Sequence, residues 1–205
     1  MTNEAHWEKV FATKEASEMS WYQAMPIRSL ELLREAGAES NTDIIDVGGG
    51  DSLLVDTILA GRLGCITVLD ISGGALDRAR ARLGPRASEV TWLRADVTRV
   101  DLAANAFDVW HDRAVFHFLT TPDERARYVA AAKSSLRPGG FLIIATFAAD
   151  GPTTCSGLEV ARYSTAALLR EFGDDFVLRR DFADVHRTPA GIEQRFTIAL
   201  LQLRS

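Results

Sequence analysis

With 205 residues, 47% of them hydrophobic and 25% charged, the chain has the composition of a soluble globular protein large enough for one well-filled core. No stretch reaches the roughly 20 uninterrupted apolar residues of a membrane helix, and an N-terminus carrying Glu4, Glu8 and Glu15 lacks a signal-peptide pattern, which points to the cytoplasm. An excess of 28 Asp and Glu over 23 Lys and Arg argues against nucleic acid as a partner, and the two cysteines, Cys65 and Cys155, show neither zinc-site spacing nor a disulfide framework.

Residues 1–40 predict helical segments rich in aromatic side chains, Trp7, Phe11, Trp21 and Tyr22, a candidate lid outside the alternation that follows. Residues 41–150 read as the core. Short apolar runs at 43–47, 65–70, 90–93, 107–110 and 141–147 are mostly separated by segments long enough for crossover helices, so they predict parallel strands. Helices are expected over 53–60, over 72–83 with Ser72 as N-cap, and from Pro122 to Leu136, capped by Thr121 and stopped at Pro138-Gly139-Gly140. Residues 151–205 supply a loop, a helix and two longer strands, 176–185 and 195–203, joined across Thr188-Pro189-Ala190-Gly191. The expected fold is α/β: one doubly wound domain with a seven-stranded, mostly parallel, Rossmann-like sheet closed by a C-terminal antiparallel hairpin.

The first predicted strand ends in Asp46-Val47-Gly48-Gly49-Gly50-Asp51-Ser52. Consecutive glycines let the backbone turn sharply and approach a ligand closely, although ordinary tight turns use the same geometry. A dinucleotide fingerprint opened at Gly48 would need its third glycine at position 53, where Leu53 stands, which disfavours NAD. Asp70 ends the second strand, where a carboxylate accepts hydrogen bonds from both hydroxyls of a ribose, so an adenosine ligand is favoured.

With Asp46, Gly48 and Gly50 as an acidic residue followed by alternating glycines, the chain resembles the class I S-adenosylmethionine-dependent methyltransferases over about 43–147. Ser52 stands in place of the usual third glycine. The resemblance implies S-adenosylmethionine as cofactor, S-adenosylhomocysteine as product, and a site made of Asp46, Gly48, Gly49, Gly50 and Ser52. By the same resemblance Asp70 would hold the ribose hydroxyls, Ile71 would pack on the adenine, Asp96 would accept from the adenine amino group, and Val97 would offer its backbone amide. Phe107-Asp108-Val109-Trp110 matches the fourth strand of the family, and His111-Asp112-Arg113 falls where members meet the methionine part and the acceptor. Leu136-Arg137-Pro138-Gly139-Gly140 matches the turn before strand five.

A sulfonium methyl is already activated, so transfer requires in-line alignment with a nucleophile in a site that excludes water, and no metal is needed. Asp112 and His111 are the candidates for orienting an acceptor proton, against a salt bridge between Asp112 and Arg113, while His117 between Phe116 and Phe118 reads as a core histidine. Trp21, with His6, Trp7 and Tyr22, is a candidate for covering the cofactor, core packing being the other use of such residues. The loop 150–157 would line the acceptor pocket, Cys155 reads as an inert thiol, and Arg78, Arg80, Arg82 and Arg86 read as a solvated helix face. A compact acidic chain favours a small-molecule acceptor, with a protein acceptor, as in protein-lysine methyltransferases, or a catalytically silent binder as the alternatives.

Overall fold

The computed structural model describes residues 3–205. Its elements in chain order are α1 (Asn3–Thr13), α2 (Ile27–Glu35), β1 (Asp43–Val47), α3 (Leu54–Gly61), β2 (Cys65–Asp70), α4 (Gly73–Leu83), β3 (Thr91–Arg94) and β4 (Phe107–Arg113). There follow α5 (Pro122–Ser135), β5 (Leu136–Phe147), β6 (Thr154–Cys155), β7 (Leu158–Glu159), α6 (Thr165–Phe172), β8 (Phe176–Arg187) and β9 (Glu193–Leu203). Seven strands form one sheet in the order β3-β2-β1-β4-β5-β9-β8. The pairs from β3 to β5 are parallel, and β9 runs antiparallel to both β5 and β8. This is the doubly wound, mostly parallel sheet with a C-terminal antiparallel hairpin.

Period-two alternation places successive strand residues on opposite faces, and each face buries its own cluster. Ile44, Val109 and Ile143 pack with Leu30, Leu33 and Ile58 from α2 and α3. Their chain neighbours Ile45, Trp110 and Leu142 pack on the other face with Tyr128 of α5 and Leu168 of α6. Each such fully buried side chain contributes roughly 1.5–3 kcal/mol of transfer free energy, which fixes strand register because a one-residue slip would expose all of them.

The helix signals are physical. Ser72 accepts from the Ala75 amide, and Thr121 forms a reciprocal capping box with Glu124 followed by Pro122 in the first turn. β3 is displaced by one residue, to Thr91–Arg94, the hairpin strands each run two residues further toward their turn, and β4 and β5 depart most from the expectation. β4 continues beyond Trp110 to Arg113, and β5 begins at Leu136, taking the Pro138-Gly139-Gly140 turn into the strand as an irregularity between the Phe107 and Val109 pairings. Gly139 has φ +81°, and a Cβ on Gly140 would lie 2.9 Å from the Arg137 carbonyl oxygen, so this crossing is built for glycine. Among the described residues no helix is long and apolar enough to cross a membrane.

Candidate active site

A cleft opens along the C-terminal ends of the parallel strands, the edge at which open α/β sheets hold ligands. It encloses about 1380 Å³ of space, part of it open to solvent. Taken across the sheet, its wall passes from Ala95, Asp96 and Val97 after β3, to Asp70 and Ile71 at β2, to the glycine turn after β1, and to Arg113 and Val115 at β4. It ends at Phe147 and Phe196 on β5 and β9.

The glycine turn is fastened from several sides. The Gly48 and Gly49 amides both donate to the Leu69 carbonyl, at 2.7 and 3.2 Å. Gly48 has φ +65°, and a Cβ there would lie 2.0 Å from Val115 Cγ2; on Gly49 it would lie 2.6 Å from Asp46 Oδ2. These two glycines are therefore needed first for the packing of protein on protein, whereas Gly50, at φ +48°, faces Asp70 and Phe11. Ser52 Oγ accepts from the Leu54 amide at 3.2 Å, satisfying one of the free N–H groups that open α3. Arg82 donates to the Asp51 and Ser52 carbonyls and pairs with Asp56 at 2.7 Å, clamping the loop from outside.

Asp46 and His111 sit side by side in the β1–β4 register. Asp46 Oδ1 is 2.7 Å from His111 Nδ1, and His111 Nε2 is 2.8 Å from Ser29 Oγ on α2. An ionised carboxylate only accepts, which makes Nδ1 the donor and leaves Nε2 of a neutral ring to accept the serine hydroxyl. Asp70 accepts from the Ser72 amide at 2.8 Å, and burial, reinforced by Asp46 and Asp51, pushes its carboxyl up to about 7. Asp96 Oδ1 accepts from the amide and hydroxyl of Thr98.

Asp112 faces the other way. It is fully buried and is not on the cleft wall; its oxygens accept from the Val115 and Phe116 amides at 2.8 and 3.0 Å and from the Tyr128 hydroxyl at 2.5 Å. Tyr128 in turn accepts from Trp110 Nε1 at 2.8 Å. Burial raises the Asp112 carboxyl to about 6 against the pull of these donors.

The N-terminal segment lies across the cleft. Trp7 meets Trp21 and Phe118 edge to face, with ring centroids 5.8 and 5.0 Å apart, and Phe11 packs beside Trp21. Its attachment is electrostatic as well. Glu8 accepts from the Gly73 and Gly74 amides at the start of α4, and Arg78 donates to the Phe11 and Lys14 carbonyls at the end of α1.

Comparison with known proteins fits this geometry. The N-methyltransferase NodS of Bradyrhizobium japonicum, solved with S-adenosyl-L-homocysteine, superposes with a TM-score of 0.75 at 17% identity, covering 100% of both chains. The 1,6-didemethyltoxoflavin-N1-methyltransferase of Burkholderia thailandensis gives 0.69 at 19% identity, over 98% of this chain and 84% of its own. An S-adenosylmethionine-dependent methyltransferase of Methanosarcina mazei gives 0.70 at 15%, over 89% and 99%. At such identities the likeness is one of fold. No curated protein matches significantly. Residues 44–140, from β1 to the start of β5, match the methyltransferase domain family. That match, with S-adenosylmethionine-dependent methyltransferases among the solved structures of the same fold, supports a class I S-adenosylmethionine-dependent methyltransferase.

The residues singled out from the sequence divide clearly around this cleft. Asp46, Gly48, Gly49, Gly50, Ser52, Asp70, Ile71, Asp96, Val97, His111 and Trp21 all lie on the wall of the one cleft, as do Trp7, Tyr22 and Cys155. Asp112 and His117 do not; the His117 ring is fully buried, accepts from the Phe147 amide at 3.2 Å and is held neutral by burial, its conjugate acid down to about 3. Burial raises the Cys155 thiol. His6 is off the wall, and His186 is tied to the Ser20 carbonyl at 2.8 Å. Arg78 and Arg82 were legible only as members of a basic helix face. Their partners lie far along the chain, as do those of Glu8 and Ser29, so no local spacing announces them.

Proposed function

We propose that this methyltransferase transfers a methyl group from S-adenosylmethionine directly to a small-molecule nucleophile. The observation that carries the reading is the sequence of groups along one cleft: two carboxylates and a glycine turn at one end, an aromatic compartment under the N-terminal segment at the other. The donor set suits the cofactor. Asp70 and Asp96 are acceptors that match ribose hydroxyls and an adenine amino group, Ile71 and Val97 offer apolar surface between them, and the glycine turn lets backbone approach the amino-acid portion. When bound, S-adenosylmethionine supplies an electrophilic methyl on a sulfonium.

The residues of the chain bind, orient and exclude water. Asp46 and His111, satisfied by each other and by Ser29, form a fixed polar floor near the middle of the cleft. Asp112 acts as a positioning residue, holding the turn whose Ala114 and Val115 do line the cleft. Residues 1–40 serve as the cover of a single catalytic domain, with Trp21 and Trp7 closing the compartment against bulk solvent.

The cofactor role of Asp70 has a pH signature. Its carboxyl is up to about 7 in the free protein, and hydroxyl donors favour the ionised form, so binding lowers that value. S-adenosylhomocysteine is therefore expected to bind more tightly as pH rises toward 7 and to level off above it, with release of up to about one proton at pH 6. Calorimetry in buffers of different ionisation enthalpy measures this; an enthalpy independent of buffer at pH 6–7 overturns the assignment. The acceptor class is tested by incubating pure protein with labelled methyl donor and separate pools of metabolites, proteins and RNA. Label in the metabolite pool is expected, and transfer only to protein would reject the reading.

A further inference from the structure

Arg113 ends β4 beside Ala145 of β5, on the cleft wall. Its Nη1 donates to the Trp21 carbonyl at 3.0 Å, and its guanidinium carbon lies 5.3 Å from the centre of the Phe196 ring. No other hydrogen bond engages it among the described residues, which leaves the Nε and Nη2 edge of the fork without a partner. Of the described arginines that have no carboxylate within 4.0 Å, Arg113 alone is half-buried, the others being exposed. The carboxylate whose charge acts on it, Asp184, is taken by Arg28 at 3.2 Å.

A guanidinium half-buried among aromatic side chains is ordinarily paired with an anion, because partial desolvation of a charge is costly unless a partner offsets it. Here burial lowers the guanidinium only to about 10, so it stays charged at neutral pH. Apart from Asp184, the ionisable groups around it supply no anion: burial and the Arg113 charge hold His117 and His186 toward their neutral forms, and burial raises the Cys155 thiol. The carboxylates of the cleft, Asp46, Asp51, Asp70 and Asp96, belong to the β1–β3 half, one to three strand spacings of about 4.8 Å each from β4, and the nearest strand's Asp46 is engaged by His111. The half around Arg113 is instead walled by Trp7, Trp21, Tyr22, Phe118, Phe147 and Phe196.

We propose that Arg113 is the anchor of the acceptor subsite and that the methyl acceptor is a small aromatic or otherwise apolar molecule bearing a carboxylate, held two-pronged by the free edge of the guanidinium. A planar fork matches a carboxylate in geometry as well as charge, and the aromatic walls take the apolar body. The inference rests on the methyl-transfer reading of the cleft, and it names what that site accepts.

The test uses wild type, Arg113→Met and Arg113→Lys, each first titrated with S-adenosylhomocysteine by calorimetry. Failure of the wild type to bind it would defeat the methyl-transfer reading itself. The loaded proteins are then titrated with benzoate, phenylacetate and 3-phenylpropionate and with the matching primary amides, which keep shape and remove charge. At least one acid is expected to bind wild type about tenfold or more tighter than its amide. That preference disappears in Arg113→Met and is partly kept in Arg113→Lys, while affinity for S-adenosylhomocysteine changes less than about twofold and shows that the variants are folded. Equal binding of acids and amides, no binding of any acid, or a preference that survives Arg113→Met overturns the proposal. So does a tenfold loss of S-adenosylhomocysteine affinity in a variant whose melting temperature is unchanged, because the guanidinium would then serve the carboxylate of the cofactor instead.

Discussion

Asp70→Asn is expected to weaken S-adenosylhomocysteine binding about 10- to 150-fold while making the ligand-free protein more stable at pH 8. The two effects have one cause. The carboxylate at the end of β2 is buried, and burial lifts its pKa from an ordinary value of 3.8 to about 7. A group raised in this way contributes full stability below its unfolded value and loses it as pH rises through the folded one. At pH 8 the ionised Asp70 is therefore a cost to the free fold, accepted for the charged hydrogen bonds it offers a ligand, each worth roughly 1.5–3 kcal/mol. Asparagine removes that cost but cannot accept from two hydroxyls with equal strength. The expected gain is about 2–5 °C in melting temperature at pH 8, fading as pH falls toward 4, where the wild-type carboxyl is protonated as well. Calorimetry and thermal denaturation across pH 4–8 measure both halves; unchanged affinity would remove Asp70 from the site.

Asp112→Ala has the opposite character, a large expected loss of stability at a residue that lies off the cleft wall. Three donors, the part-buried Val115 amide and the buried Phe116 amide and Tyr128 hydroxyl, converge on this carboxylate. Orphaning them costs about 3–5 kcal/mol, or on the order of 10 °C in melting temperature. Because Val115 packs against Gly48, loosening its turn also slackens the glycine turn, so affinity for S-adenosylhomocysteine falls too. Asp112→Asn, which keeps one acceptor oxygen, is expected to lose less than half as much stability, consistent with a carboxyl that burial already holds up at about 6. If Asp112→Ala melts like wild type yet loses all methyl transfer, Asp112 acts on the reacting groups and not on the turn.

The contrast between these two aspartates shows where sequence was sufficient. Asp70 stands at a strand end marked by a clear apolar run, so its position at the cleft followed from period and topology. Asp112 depended on where β4 stops. Ending that strand at Trp110 leaves the direction of the next three side chains undefined. With the strand continuing to Arg113, alternation puts His111 and Arg113 on one face and Asp112 with Trp110 on the other, among the side chains of α5. The parallel sheet, the hairpin and the helix caps were legible because each rests on local period or local capping chemistry. The clamps were not, since Glu8 with α4, Arg78 with α1 and Ser29 with His111 join segments that only the folded chain brings together.

Phe11, Met19 and Ala75, with Trp7, Val10, Trp21 and Tyr22 against them, form a small apolar cluster separate from the two that hold the sheet. A satellite cluster of this size, with the Glu8 and Arg78 ties beside it, is expected to open at a lower free energy than the sheet, with every strand still paired. Turnover in such an arrangement has two independent timers. The sheet and its loops set how firmly the nucleoside half is gripped, whereas the residence time of a finished product is expected to follow how often six apolar side chains of the N-terminal segment leave Ala75 of α4 together.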